Sequence, residues 1–306
     1  MSAIVVERLC KTFGEVRAVD DVSFSVEAGE IFALLGPNGA GKTTTLEILE
    51  GYRDRTAGTV RVLGVDPAKG GRRHRERIGV VLQSAGFEEE FTVRELVSLQ
   101  QRLFPRHYGV DEVIDLVGLA DKRTARVKGL SGGQRRRLDL ALGVVGAPDL
   151  LFLDEPTTGF DPGARHRAWT LVEGLRHAGT TILLTTHYIE EAERLADRLA
   201  VMRSGRLIAL GRPDELGVGD SGAAPASVVR CRVPAGVSIS GLPLLSETPS
   251  VANGWLQLVT ASPVRDLHEL TGWAVRRGLD LACLTVRRPN LEDVYLRLVG
   301  EQADVH

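Results

Sequence analysis

Between Ile4 and Met202 the chain alternates short apolar runs with stretches in which apolar residues recur every three or four positions. The runs at 4–6, 23–26, 31–35, 78–82, 150–153, 182–184 and 199–202 read as strands. Helical spacing predicts helices over 42–51, 93–104, 110–117, 134–145, 162–177 and 189–198. Strands that are apolar on both faces and separated by helices indicate an α/β domain with a mainly parallel sheet. The first strands lie too close together for helical crossovers, so they predict an antiparallel flap on that sheet.

Near Gly217 the pattern changes. Residues 217–226 are almost all small and read as a linker. Beyond it, strand-like segments at 227–233, 255–260 and 279–286 and helix-like ones at 263–277 and 291–299 predict a small α+β domain over 227–306. The larger domain is therefore expected to occupy 1–216, and no internal repeat is visible.

Composition narrows the class. With 306 residues, 43% hydrophobic, and a net charge of −2, the chain can bury a core and has no whole-chain basic footprint for nucleic acid. Cys10, Cys231 and Cys283 are far apart, which suggests three buried or half-buried thiols rather than a disulfide framework or a zinc site. No run of about 20 apolar residues is present, and the first residues lack the pattern of a secretory leader. A soluble, cytoplasmic chain is expected.

Gly36-Pro37-Asn38-Gly39-Ala40-Gly41-Lys42-Thr43-Thr44 satisfies the phosphate-loop pattern GxxxxGK[ST], with an expected buried strand before it and a helix opening at the lysine. The glycines let successive N–H groups converge on a phosphate at a helix N-terminus. Lys42 adds a point charge for the β- and γ-phosphates, and the Thr43 hydroxyl is placed for Mg²⁺. Four apolar residues from Leu150 lead into Asp154 and Glu155, delivering both acids at a strand tip. Asp154 is the expected magnesium ligand, and Glu155 the group that polarises an attacking water. Leu130 precedes Ser131-Gly132-Gly133-Gln134, where a serine cap and two glycines open a second anion-binding helix, followed by three arginines.

These three motifs together make residues 2–215 resemble the ATP-binding subunits of ABC transporters. The resemblance implies a P-loop NTPase (ABC ATPase) core with an antiparallel β flap and a helical subdomain over about 84–140. It implies ATP and Mg²⁺ as ligands. It also implies a homodimer with ATP between the phosphate loop of one copy and Ser131–Gln134 of the other. By the same resemblance Phe13 stacks on adenine, where tyrosine is commoner, and Gln83 links magnesium and water to the transporter interface. Asp161 lies in a dimer-contacting loop, in which Phe160 replaces the usual leucine. His187 contacts the γ-phosphate. The tail from Arg288 to Arg297 is similar to the PSLEDVFL-type ending of a subgroup that serves separately encoded ABC-2 type permeases, some in drug and antibiotic efflux; Asn290 and Tyr295 depart from it.

The expectation is the ATPase subunit of an exporter, held peripherally at the cytoplasmic face of the membrane by a separate permease. A non-transport ABC ATPase acting on ribosomes or DNA is the alternative, and a phosphotransferase using the same loop is a more distant one.

Overall fold

The computed structural model describes residues 2–81, 86, 88–216, 227–233, 242–287, 291 and 295. Gln83, the 217–226 linker and most of the 288–297 tail, with the helix expected at 291–299, lie outside the described residues. The chain divides into two compact units, Met1–Arg212 and Pro213–His306.

The first unit opens with two twelve-residue strands, β1 (Ser2–Phe13) and β2 (Val16–Glu27). They continue well past the apolar triplets because antiparallel pairing carries the polar positions with it. Then come β3 (Ile31–Leu35), α1 (Lys42–Glu50), β4 (Ala57–Val62), the single turn α2 (Arg72–Arg75) and β5 (Ile78–Val81). The helices α3 (Val93–Gln101), α4 (Val110–Leu116) and α5 (Gly132–Val144) follow, then β6 (Leu150–Asp154), α6 (Pro162–His177), β7 (Thr181–Thr186), α7 (Ile189–Leu195), β8 (Arg198–Arg203) and β9 (Arg206–Gly211).

Six strands form one sheet in the order β5-β6-β7-β3-β8-β9, parallel except for β9. Every residue of β3, β6 and β7 is buried, which explains their unbroken apolar or threonine runs. A second sheet, β2-β1-β4, is the antiparallel flap. Stacking of Phe24 on Phe32, with ring centroids 5.1 Å apart, ties the flap to the main sheet within one apolar cluster. β4 and β9 escaped the apolar pattern because each is only partly covered.

Local chemistry starts the helices where the sequence places the caps. Ser131 and Gln134 form a capping box on α5, and Thr92 with Glu95 does so on α3. Asp161 caps α6 ahead of Pro162 by accepting from Ala164 N at 2.8 Å.

In the second unit β10 (Ser227–Arg232), β11 (Ser250–Ala252), β12 (Trp255–Thr260) and β13 (Ala282–Arg287) pair antiparallel in the order β11-β12-β10-β13. Helix α8 (Pro263–Arg276) sets Leu270, Trp273 and Ala274 against Val229, Cys231, Leu256 and Leu258. Cys231 is buried and Cys10 half-buried, but Cys283 is exposed on β13, against the expectation for all three thiols.

Candidate active site

The phosphate loop leaves β3 through a space that only a backbone can occupy. A Cβ on Gly36 would stand 2.4 Å from the Met202 carbonyl oxygen, and one on Gly41 2.4 Å from that of Ala18. Gly41 also has φ +100°, so its lack of a side chain is required twice. Gly205 N donates to Ala40 O at 3.1 Å, and Asp20 N to Gly205 O at 2.8 Å. Strand β8, the β8–β9 turn and the flap thus fix the loop from three sides. The result is a cradle of about 480 Å³ lined by Ala18, Asn38, Gly39, Ala40, Gly41, Lys42, Thr43, Thr44 and Glu155. It lies at the N-terminus of α1, whose dipole favours an anion.

Lys42 is buried, and its Nζ donates to the carbonyls of Gly36 at 2.8 Å and Pro37 at 3.1 Å. Burial draws its pKa down, while the charges of Glu155 and Asp154 work against that. Asp154 ends β6, and its Oδ1 accepts from Thr43 Oγ1 at 3.4 Å and from the Thr185 hydroxyl of β7. Thr43 and Asp154 together offer hard oxygen donors suited to Mg²⁺, which usually completes its shell with water and substrate phosphates. Among the described residues there is no group of three or more His, Cys, Asp or Glu that could hold a metal.

The chain turns sharply after Asp154. Glu155 adopts φ +48°, a left-handed conformation costing a non-glycine residue about 1–3 kcal/mol. Its N–H donates to Thr185 O and Oγ1, both at 3.1 Å, which anchors the turn. The side chain lines the cradle, with Oε1 at 3.8 Å from Lys42 Nζ and 3.2 Å from His187 Nδ1. Oε2 accepts from Thr158 Oγ1 at 3.2 Å.

Arg136, one of the three arginines that would read as a solvated helix face, is buried. Its Nη2 donates to the carbonyls of Asp154 at 2.7 Å and Glu155 at 3.1 Å, and its Nε to that of Pro156 at 3.3 Å. A signal was available, because Arg136, Leu140 and Val144 share one helical face and all are buried. Thr185 and Thr158 were also missed, since a hydroxyl in an apolar strand or a turn carries no sequence mark of what it bonds.

The structure brings together Gly36 to Thr44, Asp154, Glu155 and His187. It does not bring Ser131, Gly132, Gly133 or Gln134 to this cradle; Ser131 and Gly132 are exposed at the start of α5. Asp161 is exposed and occupied in capping α6. Phe13 is 41% exposed, with Lys11 Nζ and the Arg53 guanidinium each 5.0 Å from its ring centre, and it does not line the cradle.

Comparisons with known proteins show the family and the fold. Residues 19–158 match the ABC transporter family, and residues 227–290 match the C-terminal domain of ABC transporter domain-containing proteins. The Nod factor export ATP-binding protein I of Paraburkholderia xenovorans is 41% identical over 98% of each chain. The daunorubicin resistance ATP-binding protein DrrA3 of Streptomyces coeruleorubidus is 38% identical over 99% of this chain and 98% of its own. An ATP-binding subunit of an ABC transporter superposes on the fold with a TM-score of 0.64 and 26% identity, covering 70% of this chain and 91% of its own. An ATP-binding cassette in its ADP conformation gives a TM-score of 0.61 and 27% identity, over 70% and 92%. Because relatives matched from end to end are export proteins, the alternative of a ribosome- or DNA-acting ATPase is set aside.

Proposed function

The chain belongs to the ATP-binding proteins of ABC transporters, the ATPases of export systems, and from there we propose how its residues divide the work of Mg²⁺-ATP hydrolysis beneath a separate permease. Two copies close on ATP, and hydrolysis reopens them, shifting the permease between conformations through differential binding. The chain works at the cytoplasmic face of the membrane, held there by that permease. Among the described residues no helix is long and apolar enough to cross a membrane.

The reading is carried by one observation: Glu155 stands between Lys42 and His187, at 3.8 and 3.2 Å, at the mouth of the phosphate cradle. Lys42 exchanges its two loop carbonyls for the β- and γ-phosphate oxygens. Glu155 orients the attacking water and draws on its proton, an effect typically worth 10²–10⁴-fold. Thr158 fixes the Glu155 carboxylate through Oε2, and His187 Nδ1 stands 3.2 Å from Oε1 on the other side. Thr43 and Asp154 would hold magnesium, whose chemistry there would be to neutralise charge on the phosphate oxygens, and Gln83 would link that site to the permease. Ser131 and Gly132 are exposed and Gly133 and Gln134 half-buried, all outside their own cradle, as residues serving a second copy's nucleotide should be, with Asp161 near that contact and Phe13 against adenine.

The cargo is a small molecule chosen by the permease; relatives this similar include one for Nod factor export and one for daunorubicin resistance. The domain over 227–306, joined by the 217–226 linker, has a regulatory or dimer-stabilising role. The test is Glu155→Gln, assayed with the permease in vesicles. ATP binding should persist while turnover and export fall by at least about 10²-fold. Full turnover would remove Glu155 from its role.

A further inference from the structure

Pairing between β6 and β7 ends with Asp154 against Thr185, and the two chains then leave the sheet carrying Glu155 on one side and His187 on the other. Glu155 begins a turn in which Thr158 N donates to Glu155 O at 3.3 Å and Phe160 N to Thr157 O at 3.1 Å. Two residues past His187 the other chain enters α7, whose third residue is Glu191. A pair of glutamates in a first helical turn reads as solvated. Glu190 is exposed, but Glu191 has 0% exposure. Its Oε1 accepts from Thr157 Oγ1 at 2.8 Å and from Trp169 Nε1 of α6 at 3.1 Å. Its Oε2 is shut off from solvent and has no hydrogen-bond partner among the described residues.

A half-paired carboxylate this deep is costly to the fold. Packing of α6 on α7 has other ties, since Arg194 reaches Glu173 at 3.4 Å and Arg165 stands 3.8 Å from Glu190. What Glu191 adds is a bond to the turn after the strand tip. Thr157, itself buried, gives its hydroxyl to Glu191, while the next residue, Thr158, gives its own to Glu155 Oε2 at 3.2 Å. Anchoring Thr157 therefore sets where the Thr158 hydroxyl meets the Glu155 carboxylate. Glu155 holds φ +48°, a conformation that persists only where the surroundings over-determine it. Arg136 grips the carbonyls of this segment, and Glu191 grips it through a side chain. Burial draws the pKa of Arg136 down, and the charges of Asp139, Asp154, Glu191 and Glu155 oppose that, so the two grips also steady each other.

We propose that Glu191 is a positioning residue for hydrolysis: through Thr157 it holds the turn bearing Glu155 in register with the segment bearing His187. It lies outside the lining of the phosphate cradle and acts through Thr157, Thr158 and the backbone between them. The proposal rests on the role given to Glu155 above and adds to it the group that keeps Glu155 aimed.

The experiment uses the full chain with its permease in vesicles and measures kcat and KM for ATP beside the melting temperature. Glu191→Leu, Glu191→Gln, Thr157→Val and Trp169→Phe are compared with the unaltered chain. Glu191→Leu and Thr157→Val should each lose at least about tenfold in kcat with KM within about twofold, because a small misplacement of a reacting group is felt in the chemical step. Their losses should not add in the double variant, since both remove one bond. Glu191→Gln keeps an amide oxygen for Thr157 and should hold kcat within about threefold. Trp169→Phe removes only the other donor, so it should melt lower with kcat unchanged. Normal kcat in Thr157→Val, additive losses, Glu191→Gln as slow as Glu191→Leu, or an equal loss of kcat in Trp169→Phe would each overturn the proposal. If Glu191→Leu does not fold, Thr157→Val set against Trp169→Phe decides alone. Glu155→Gln in the same vesicles separates the two readings. Its full turnover would overturn the role of Glu155, whereas an inactive Glu155→Gln beside a fully active Thr157→Val would overturn only the role of Glu191.

Discussion

Arg136 Nη2 donates to the backbone oxygen of Asp154 at 2.7 Å, so the helix that opens with the Ser131 cap also holds the strand tip from which Asp154 and Glu155 reach the phosphate cradle. The same guanidinium reaches the carbonyls of Glu155 and Pro156, and its Nη1 lies 3.7 Å from Asp139 Oδ2. One buried cation thereby sets the backbone of the segment whose second residue has the left-handed turn.

Removing that cation should be costly twice over. Arg136→Ala leaves three buried carbonyls short of donors and Asp139 without its partner, a loss of about 3–5 kcal/mol. Urea unfolding measures the loss. In any folded fraction kcat should fall more than ATP affinity, because the displaced residue is Glu155 rather than the loop. Arg136→Lys, with fewer donors and no fork, should recover only part of either.

Thr185 holds Asp154 through its hydroxyl and the Glu155 N–H through both its oxygens. Thr185→Val keeps the shape and removes the hydroxyl. Loss of such an outer partner typically weakens a metal site by 10–100-fold. The expected outcome is about a tenfold higher Mg²⁺ requirement for ATPase activity, with metal-free nucleotide binding unchanged in a fluorescence titration.

Stability should depend on pH through Glu50 and Asp139. Burial raises the first from 4.5 to about 8 and the second from 3.8 to about 6, with Arg136 opposing the shift at Asp139. Between the ordinary and the raised value the native chain keeps a proton that the unfolded chain has released. Stability therefore falls as pH rises through each window and levels off above it. Glu50 accounts for on the order of 4 kcal/mol of that fall. Below about pH 4 the sign reverses, since carboxylates such as Asp66, held low by Arg55, lose their ion pairs. Thermal melts should peak near pH 5 and decline toward pH 8, and Glu50→Leu should flatten the decline above pH 6.

A role for Ser131 across a dimer can be tested by mixing. Lys42→Ala disables a copy's own cradle, and Ser131→Arg disables what that copy offers a neighbour. Each variant alone should be inactive. Equal mixtures should regain about a quarter of normal ATPase activity, from those dimers in which one site is intact. A mixture as inactive as its components would mean that Ser131 does not act across a dimer.

Much of this site is legible before any coordinates, and the reason is chemical. A phosphate cradle requires glycines, a lysine and a hydroxyl at fixed spacing, so Gly36 to Thr44 declare themselves. An apolar strand ending in Asp154-Glu155 does the same for the strand tip. What stays hidden is held by tertiary geometry. Thr185 looks like one more strand residue, and the helical face Arg136 shares with Leu140 and Val144 tells of burial but not of its partners, the carbonyls at the tip of β6 and the turn after it. The flap strands run longer than their apolar triplets because Glu7, Arg8 and Lys11 lie within β1, where partner strands pair the backbone whatever the side chains are. Cys283 escapes because a short sheet in a small unit leaves one strand uncovered. The Glu50 carboxylate, without a hydrogen-bond partner among the described residues, escapes for a similar reason, since a glutamate near a helix end gives no sign of what it bonds.

The strand order also bears on how the protein is made. Ile31 pairs with Ile182 on one side, and Phe32 with Arg198 on the other, so β3 leaves the ribosome roughly 150 residues before either neighbour exists. At about 5–20 residues per second that is a wait of roughly 8–30 s. Throughout it, an apolar strand has two bare edges, covered only by whatever the early flap can offer, and the phosphate loop has no floor beneath Gly36. The packing against Gly36 forms only once Met202 has emerged, ten residues before the first unit ends at Arg212. The cradle is therefore among the last parts of that unit to be completed.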